Sequence, residues 1–289
     1  MPAALSDTGG GGFWFNFAQR KVHNRCIFFM GGTIMSDSNK AGHTFLASLG
    51  KTRLRPGGAE ATEWLIAQAG LNEQSRILEI ACNMGTTAIE LVSRFGCHVH
   101  AVDMDKTALS RARVNVAAAG LSDRIQLSEA NAHHLPFPDN SFDVVINEAM
   151  LTMYADKAKQ RLVQEYYRVL KPGGRLLTHD IMLTHGQLPV SADSQLQQVI
   201  KSNVSPMSKA QWQQLFRQSG FSQVQTHNGN MTLMSPRGMI KDEGLLRTGK
   251  IIFNGLKNRE NRQRFLGMLR YFHAQRKHMN YIVCCSRKS

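Results

Sequence analysis

The clearest pattern of apolar and polar positions lies between Arg76 and Lys106. An apolar run, Ile77 to Ile80 broken only by Glu79, passes through small residues ending at Gly85 into a helical pattern from Thr86 to Phe95. A second run, Val99 to Val102, then stops on Asp103. By period this reads as strand, tight turn, helix, strand, with Gly96 where a helix C-cap belongs. The alternation repeats downstream. Leu109, Ala112 and Val116 share one face of a helix over 106–119 that ends at Gly120, and a strand begins at Ile125. Asp143 to Ile146 reads as a central strand, and a helix over 157–169 buries Leu162, Tyr166, Val169 and Leu170. The LKPGG turn leads into a strand, RLLTHDIML, and Ser208 is placed to cap a helix holding Trp212, Leu215 and Phe216. Strands alternating with helices in this way form an open parallel sheet with right-handed crossovers. Its ligands sit outside the C-terminal ends of the strands. Residues 81–85 and 103–105 are therefore expected at the mouth of a ligand site.

The turn limits which ligand that is. A dinucleotide needs glycines in the spacing GxGxxG, so that backbone amides can close on its diphosphate. Here the corresponding places hold Ala81, Asn83 and Thr86, and the fingerprint is absent. S-adenosylmethionine has no phosphate and asks only that the backbone approach its ribose and methionine parts. One glycine beside turn-tolerant residues suffices for that, and asparagine is among the few non-glycine residues that accept positive φ. Asp103, closing the second strand, can accept both ribose hydroxyls. The competing reading is that Asp103 and Asp105 only cap the helix starting near Lys106.

With these residues in view, the stretch resembles the first motifs of the class I S-adenosylmethionine-dependent methyltransferases. The similarity covers about residues 41–228 and runs on through IQLSEAN, PFPDNSFDVVINEA, RVLKPGGRLL and QLFRQSGFSQVQ in the family's order. It is closest in character to the small-molecule enzymes related to those of quinone and sterol biosynthesis. The resemblance implies an α/β, Rossmann-like doubly wound fold. Its sheet would be mostly parallel and seven-stranded, with an antiparallel last strand. The sixth strand would end near Thr226 and the seventh begin at Asn280, leaving a helical insertion over 231–278 between them. The cofactor implied is S-adenosylmethionine, held by Glu79, Ala81, Asn83, Gly85, Asp103, Met104, Asn131, Ala132 and Asn147. Ala81 and Asn83 stand where the family usually has glycine, and Asn131 where it usually has an acid. A cofactor-binding, non-catalytic relative is therefore an alternative.

Composition adds bounds. With 289 residues and 42% apolar content, the chain can bury a full core. No apolar run approaches membrane-spanning length. The five cysteines have no metal-ligand spacing, so no metal is expected, and they read as reduced cytoplasmic thiols. Cys82 reads as small turn filler. The formal charge of +14 is uneven: residues 75–185 carry 12 basic and 12 acidic side chains, and residues 186–289 carry 16 and 4. The last third thus points to nucleic acid, an anionic small substrate or an acidic membrane surface. Residues 1–40, with their glycine run, are expected to be a disordered extension, and 41–289 to form the methyltransferase domain.

Candidate chemistry is sparse. His133, Glu148 and His179 are the candidate catalytic residues, their roles open, and His179, Asp180 and, just beyond, His185 are expected to face the site from one strand end, with a satisfied core histidine as the equal alternative for His179. Arg53 or Arg55 could meet the methionine carboxylate. Residues 186–207 are expected to form a substrate lid. Phe265, Met268, Leu269 and Phe272 repeat at i, i+3, i+4 and i+7, which predicts a helix docked by one stripe; the insertion then reads either as a helical decoration with a solvated basic surface or as a segment that closes the substrate pocket with its methionines as an apolar wall. A small-molecule acceptor is favoured over RNA or DNA, because the fourth strand's exit, Asn147 to Met150, lacks the proline pair of nucleic-acid amino methylases.

Overall fold

The computed structural model describes residues 41–185, 196, 198–199 and 204–289. The extension expected over 1–40 and most of the lid expected over 186–207 lie outside the described residues. Two helices, α1 (Gly42–Ser48) and α2 (Gly58–Ala69), precede the sheet. The crossover units follow: β1 (Arg76–Ile80), α3 (Thr86–Phe95), β2 (His98–Asp103), α4 (Lys106–Ala118), β3 (Ile125–Glu129), β4 (Phe142–Glu148), α5 (Asp156–Val169) and β5 (Leu170–Leu183). Then come β6 (Met207–Ser208), α6 (Lys209–Gln218) and β7 (Phe221–Asn230), followed by α7 (Pro236–Leu256), α8 (Arg259–Ala274) and β8 (Met279–Lys288).

The strand order is β3-β2-β1-β4-β5-β8-β7. The first five strands are mutually parallel, and β8 runs antiparallel between β5 and β7. This is the expected doubly wound sheet, with one addition: β6, only two residues long, pairs with the end of β5 and makes an eighth strand. Three boundaries differ from the sequence reading. Leu170 opens β5 opposite Phe142 instead of closing α5, and LKPGG lies within β5 at a register shift, where β5 carries three residues more than β4 between the pairs Phe142–Leu170 and Val144–Arg175. β7 runs to Asn230, four residues past Thr226, because β8 offers it partners along its whole length.

Both faces of the sheet are covered, as a parallel sheet requires. Leu78, Ile80 and Val145 point to one side, against Tyr166 of α5 and Trp212 and Phe216 of α6. Ile77, Val99 and Val144 point to the other, against Leu65 of α2, Leu91 of α3 and Leu109 of α4. Each such side chain stabilises by about 1.5–3 kcal/mol relative to exposure, which fixes the strand ends that carry the site.

The insertion is helical, as its apolar period predicts. Phe265 and Met268 of α8 are buried, with Leu269 and Phe272 beside them, against Phe45, Leu46 and Leu49 at α1. α7 is broken at Gly244, whose φ of 75° and ψ of 165° are not helical. Just before the break, Asp242 accepts from the Ala59 amide at 2.8 Å, and Glu243 accepts from the amides of Thr52 and Arg53 at 2.8 and 3.0 Å.

Candidate active site

A cavity of about 200 Å³ opens where β1, β2 and β4 end, as expected for a parallel sheet. Its floor is the turn after β1, whose Ala81, Asn83 and Gly85 all have positive φ, of 55°, 49° and 72°. Ala149, at the exit of β4, has the same conformation with φ 55°. The turn therefore keeps a glycine-like backbone at two positions that lack glycine. Alanine pays for this with a Cβ–carbonyl clash of about 1–2 kcal/mol, which asparagine offsets in part. Gly85 serves differently from the expectation that it admits the ligand. It does not line the cavity, and a Cβ placed on it would meet the Ala112 side chain of α4 at 3.4 Å.

The two aspartates after β2 divide the roles that the sequence left open. Asp105 caps α4, accepting from the amides of Thr107 and Ala108 at 2.8 and 3.2 Å. Asp103 makes no such cap. It lines the cavity and accepts from the amides of Asn83 and Asp105 at 2.8 and 2.9 Å, which ties the first turn to the second. Met104, next to it, is exposed.

Glu148, at the end of β4, is the hub of a charged network. Its carboxylate is ion-paired with Arg55 and accepts from the hydroxyls of Thr62 and Thr87 at 2.8 and 3.1 Å. His179 completes the set. Its Nε2 accepts from the Gly57 amide at 2.9 Å, so the proton belongs on Nδ1, which donates to Glu148 at 3.1 Å. Burial raises the Glu148 pKa, but Arg55, His179 and Thr62 together outweigh it and hold the carboxyl well below its ordinary range. A carboxylate so stabilised is a poor proton acceptor. His179 is fully buried, bonded at both ring nitrogens and does not line the cavity, which is the placement of a satisfied core histidine.

Glu79 behaves in the opposite way. Burial, reinforced by the charge of Glu148, pushes its carboxyl up to about 8. One of its oxygens, Oε2, is buried with no hydrogen-bond partner, and the residue lines the cavity.

Other expected residues are placed elsewhere. Asn147 is fully buried, its amide donating to the Met150 sulfur, and it does not line the cavity. Asn131 accepts from the His133 amide at 3.0 Å, while Ala132 is buried in the core; neither lines the cavity. His133 packs edge-on against Tyr154, also outside it. Asp180 is buried and accepts from the Thr152 amide at 3.0 Å, and His185 packs near His278, so neither faces the site as expected. Cys82 lines the turn as a buried thiol whose pKa burial raises, which makes it inert filler.

The sequence reading missed His43. It lines the cavity from α1, its Nδ1 has no hydrogen-bond partner among the described residues, and burial lowers its pKa against the opposing pull of Asp103 and Asp105. Arg53 and Arg55 also line the cavity. Arg55 is committed to Glu148, whereas among the described residues Arg53 pairs only with Glu90, at 3.0 Å, and its Nη1 lacks a well-aligned hydrogen bond. Among the described residues no group of side chains could hold a metal ion.

Comparison with known proteins covers the same elements. Residues 77–174 match the family model described as a methyltransferase domain, which spans β1 to the start of β5. An uncharacterised protein of Haemophilus influenzae is 50% identical over 250 residues, 86% of this chain and 99% of that one. The 27-O-demethylrifamycin SV methyltransferase of Amycolatopsis mediterranei is 29% identical over 160 residues, 55% of this chain and 58% of its own length. The match thus spans little more than half of that named enzyme. In fold, the chain is similar to a phosphoethanolamine N-methyltransferase 2 of Haemonchus contortus solved with S-adenosyl-L-methionine. The TM-score is 0.70 at 21% identity, covering 88% of this chain and 57% of that one.

Proposed function

The chain belongs to the class I S-adenosylmethionine-dependent methyltransferases, and from that premise we propose that it methylates a small-molecule acceptor at the cavity where β1, β2 and β4 end. The observation that carries this reading is the convergence on one cavity of an acceptor carboxylate (Asp103), a buried carboxyl with an unpartnered oxygen (Glu79) and an incompletely bonded guanidinium (Arg53). These three groups are complementary in kind to ribose hydroxyls, an ammonium and a carboxylate, and so fit the cofactor.

When bound, S-adenosylmethionine supplies a methyl group already activated on a sulfonium. Asp103 accepts from the ribose hydroxyls, with exposed Met104 beside it in sequence. Arg53 takes the carboxylate and Glu79 the ammonium. The Ala81–Asn83–Gly85 turn brings backbone close to the ligand without glycine at its first two positions. Asn147 acts through Met150, whose sulfur it contacts at 3.2 Å. Arg55, Glu148 and His179 hold the cavity wall, so the acceptor is met by a preset surface that includes Met150 and Met153. Orientation and exclusion of water then supply most of the acceleration of an in-line transfer. Where the acceptor must lose a proton, His43 is the group left with an unpartnered nitrogen. His133, packed on Tyr154, is the more remote candidate.

The acceptor is proposed to be small and compatible with the positive field of the insertion. A nucleic-acid acceptor is disfavoured because the basic excess lies on the insertion and not among the cavity-lining residues. The unpaired, buried thiols of Cys82, Cys97, Cys284 and Cys285 support a reducing, cytoplasmic setting. The test is calorimetric titration with S-adenosylmethionine, followed by transfer of a labelled methyl group to small-metabolite extracts and, separately, to total RNA. Label in the metabolite fraction supports the proposal. Label in RNA alone supports the nucleic-acid reading, and binding without transfer to either supports a non-catalytic role.

A further inference from the structure

We propose that α7 docks the protein on an anionic lipid surface. The inference is independent of which acceptor is methylated. Seven large apolar side chains stand exposed among the described residues, and five of them, Ile240, Leu245, Leu246, Phe253 and Leu256, belong to this one helix. Leu246 is 93% exposed, Leu245 73% and Phe253 65%. Past the break at Gly244 the helix buries Thr248, Ile251 and Gly255, at i, i+3 and i+7. The outer positions Leu246, Phe253 and Leu256, at i, i+7 and i+10, form a second apolar stripe on the far side. A helix packed on one face against its own protein should be polar on the other, and this one is not.

The charges around the stripe have one sign. Residues 231–278 contain 11 basic and 3 acidic side chains. Two of the three acids, Asp242 and Glu243, are turned inward and almost fully buried, paired with Lys51 and with the backbone of residues 52–59. Glu260 is the one acid of the insertion left at the surface, against exposed Arg237, Lys257, Arg259, Arg262 and Arg270. Exposed leucines and a phenylalanine bordered by lysine and arginine match the boundary between acyl chains and anionic headgroups. The other occupants fit less well. A second copy in a two-fold dimer would bring the same positive surface against itself. A nucleic acid would pair the arginines and leave the leucines wet.

The test uses the full chain and co-sedimentation with vesicles of phosphatidylcholine alone or of equal parts phosphatidylcholine and phosphatidylglycerol. Two double variants probe the two components: Leu246→Ser with Phe253→Ser, and Lys257→Glu with Arg259→Glu. All four side chains are exposed, so thermal unfolding and S-adenosylmethionine binding are expected to stay at wild-type values. The wild-type protein should bind the anionic vesicles, bind phosphatidylcholine weakly and be released by high salt. Each double variant should lower partitioning by more than about tenfold. The proposal is overturned if the wild-type protein stays in solution with anionic vesicles, or if the apolar variant partitions as well as wild type. It is also overturned if light scattering finds a dimer that the apolar variant dissolves while vesicles are ignored, or if a mixed-sequence RNA is bound in place of vesicles.

Discussion

Glu243 and Arg53 are 190 residues apart and joined by a 3.0 Å hydrogen bond from the Arg53 amide to Oε1 of the glutamate. Through this bond the insertion reaches the site. No described residue of 231–278 lines the cavity, so the expectation that the insertion itself walls the pocket is corrected. Its Met234 packs with the α1 cluster, while the methionines of the cavity are Met84, Met150 and Met153. What the insertion does is hold residues 52–59, and residues 52–55 line the cavity.

Glu243→Ala should therefore act at a distance. It removes the acceptor for two part-buried amides and leaves Lys51, itself fully buried, with only Asp242 among the described residues. Unfolding free energy should fall by about 3 kcal/mol, and cofactor affinity should fall in the protein that remains folded. Unchanged affinity by calorimetry would detach the insertion from the site. Replacing residues 232–277 by a short turn goes further, exposing Phe45, Leu46 and Leu49, so a poorly folded product is expected and not an intact cofactor-binding core.

Asp103→Asn is a sharper probe than Asp103→Ala, because Asp103 also accepts from the amides of Asn83 and Asp105. The asparagine oxygen can keep one of these bonds while the charge is lost. Cofactor binding should weaken by about 1.5–3 kcal/mol. Calorimetry on a variant with wild-type circular dichroism reads this out, and equal affinity would show that the ribose sits elsewhere.

Glu79 gives a pH signature. Its folded pKa is raised from 4.5 to about 8 by burial and then by Glu148. The folded protein therefore holds this proton more tightly than the unfolded chain. The stability it contributes is complete below 4.5 and is lost as pH rises through the window up to about 8. A cationic ligand group beside it favours the ionised form, so cofactor binding should release a proton near neutral pH and strengthen from pH 6 to 8. Titration in buffers of different ionisation enthalpy measures that proton. Glu79→Gln should abolish the release and reduce the pH slope of stability by the share that Glu79 contributes, and an unchanged release or slope in the variant would assign it to another group.

How far the sequence reaches is set by the range of the interactions involved. The β1–α3–β2 unit, the Asp105 cap and the α8 stripe are local, and period and capping chemistry locate them. The left-handed state of Asn83 was readable from its side chain, but that of Ala81 was not, since alanine has no preference for it. Arg55 meets Glu148 across 93 residues, and Gly57 meets His179 across 122, so no window of sequence contains either pair. This is why the sequence leaves His179 open between a site residue and the buried core histidine that it is. His43 was invisible for the same reason, lying on a short helix whose only local signal is the apolar pair Phe45 and Leu46.

The strained turn supplies the last test. Ala81 and Asn83 have nearly equal positive φ, 55° and 49°, yet only asparagine is suited to it. Ala81→Gly removes the clash of Cβ with the following carbonyl, worth about 1–2 kcal/mol, against a greater loss of backbone entropy of about 0.5–1 kcal/mol. The net expectation is a gain of about 0.5–1 kcal/mol. Asn83→Ala keeps the clash and removes the local side-chain hydrogen bonding by which asparagine offsets it, and should cost about 1 kcal/mol. Because the backbone already has the glycine conformation, neither change needs to move the turn, and cofactor affinity should stay close to wild type in Ala81→Gly. Chemical denaturation of the two variants side by side reads the signs. Opposite signs support a turn held in the left-handed state by its surroundings, and a destabilised Ala81→Gly would mean that the Ala81 methyl contributes more by packing against the core than its backbone loses to strain.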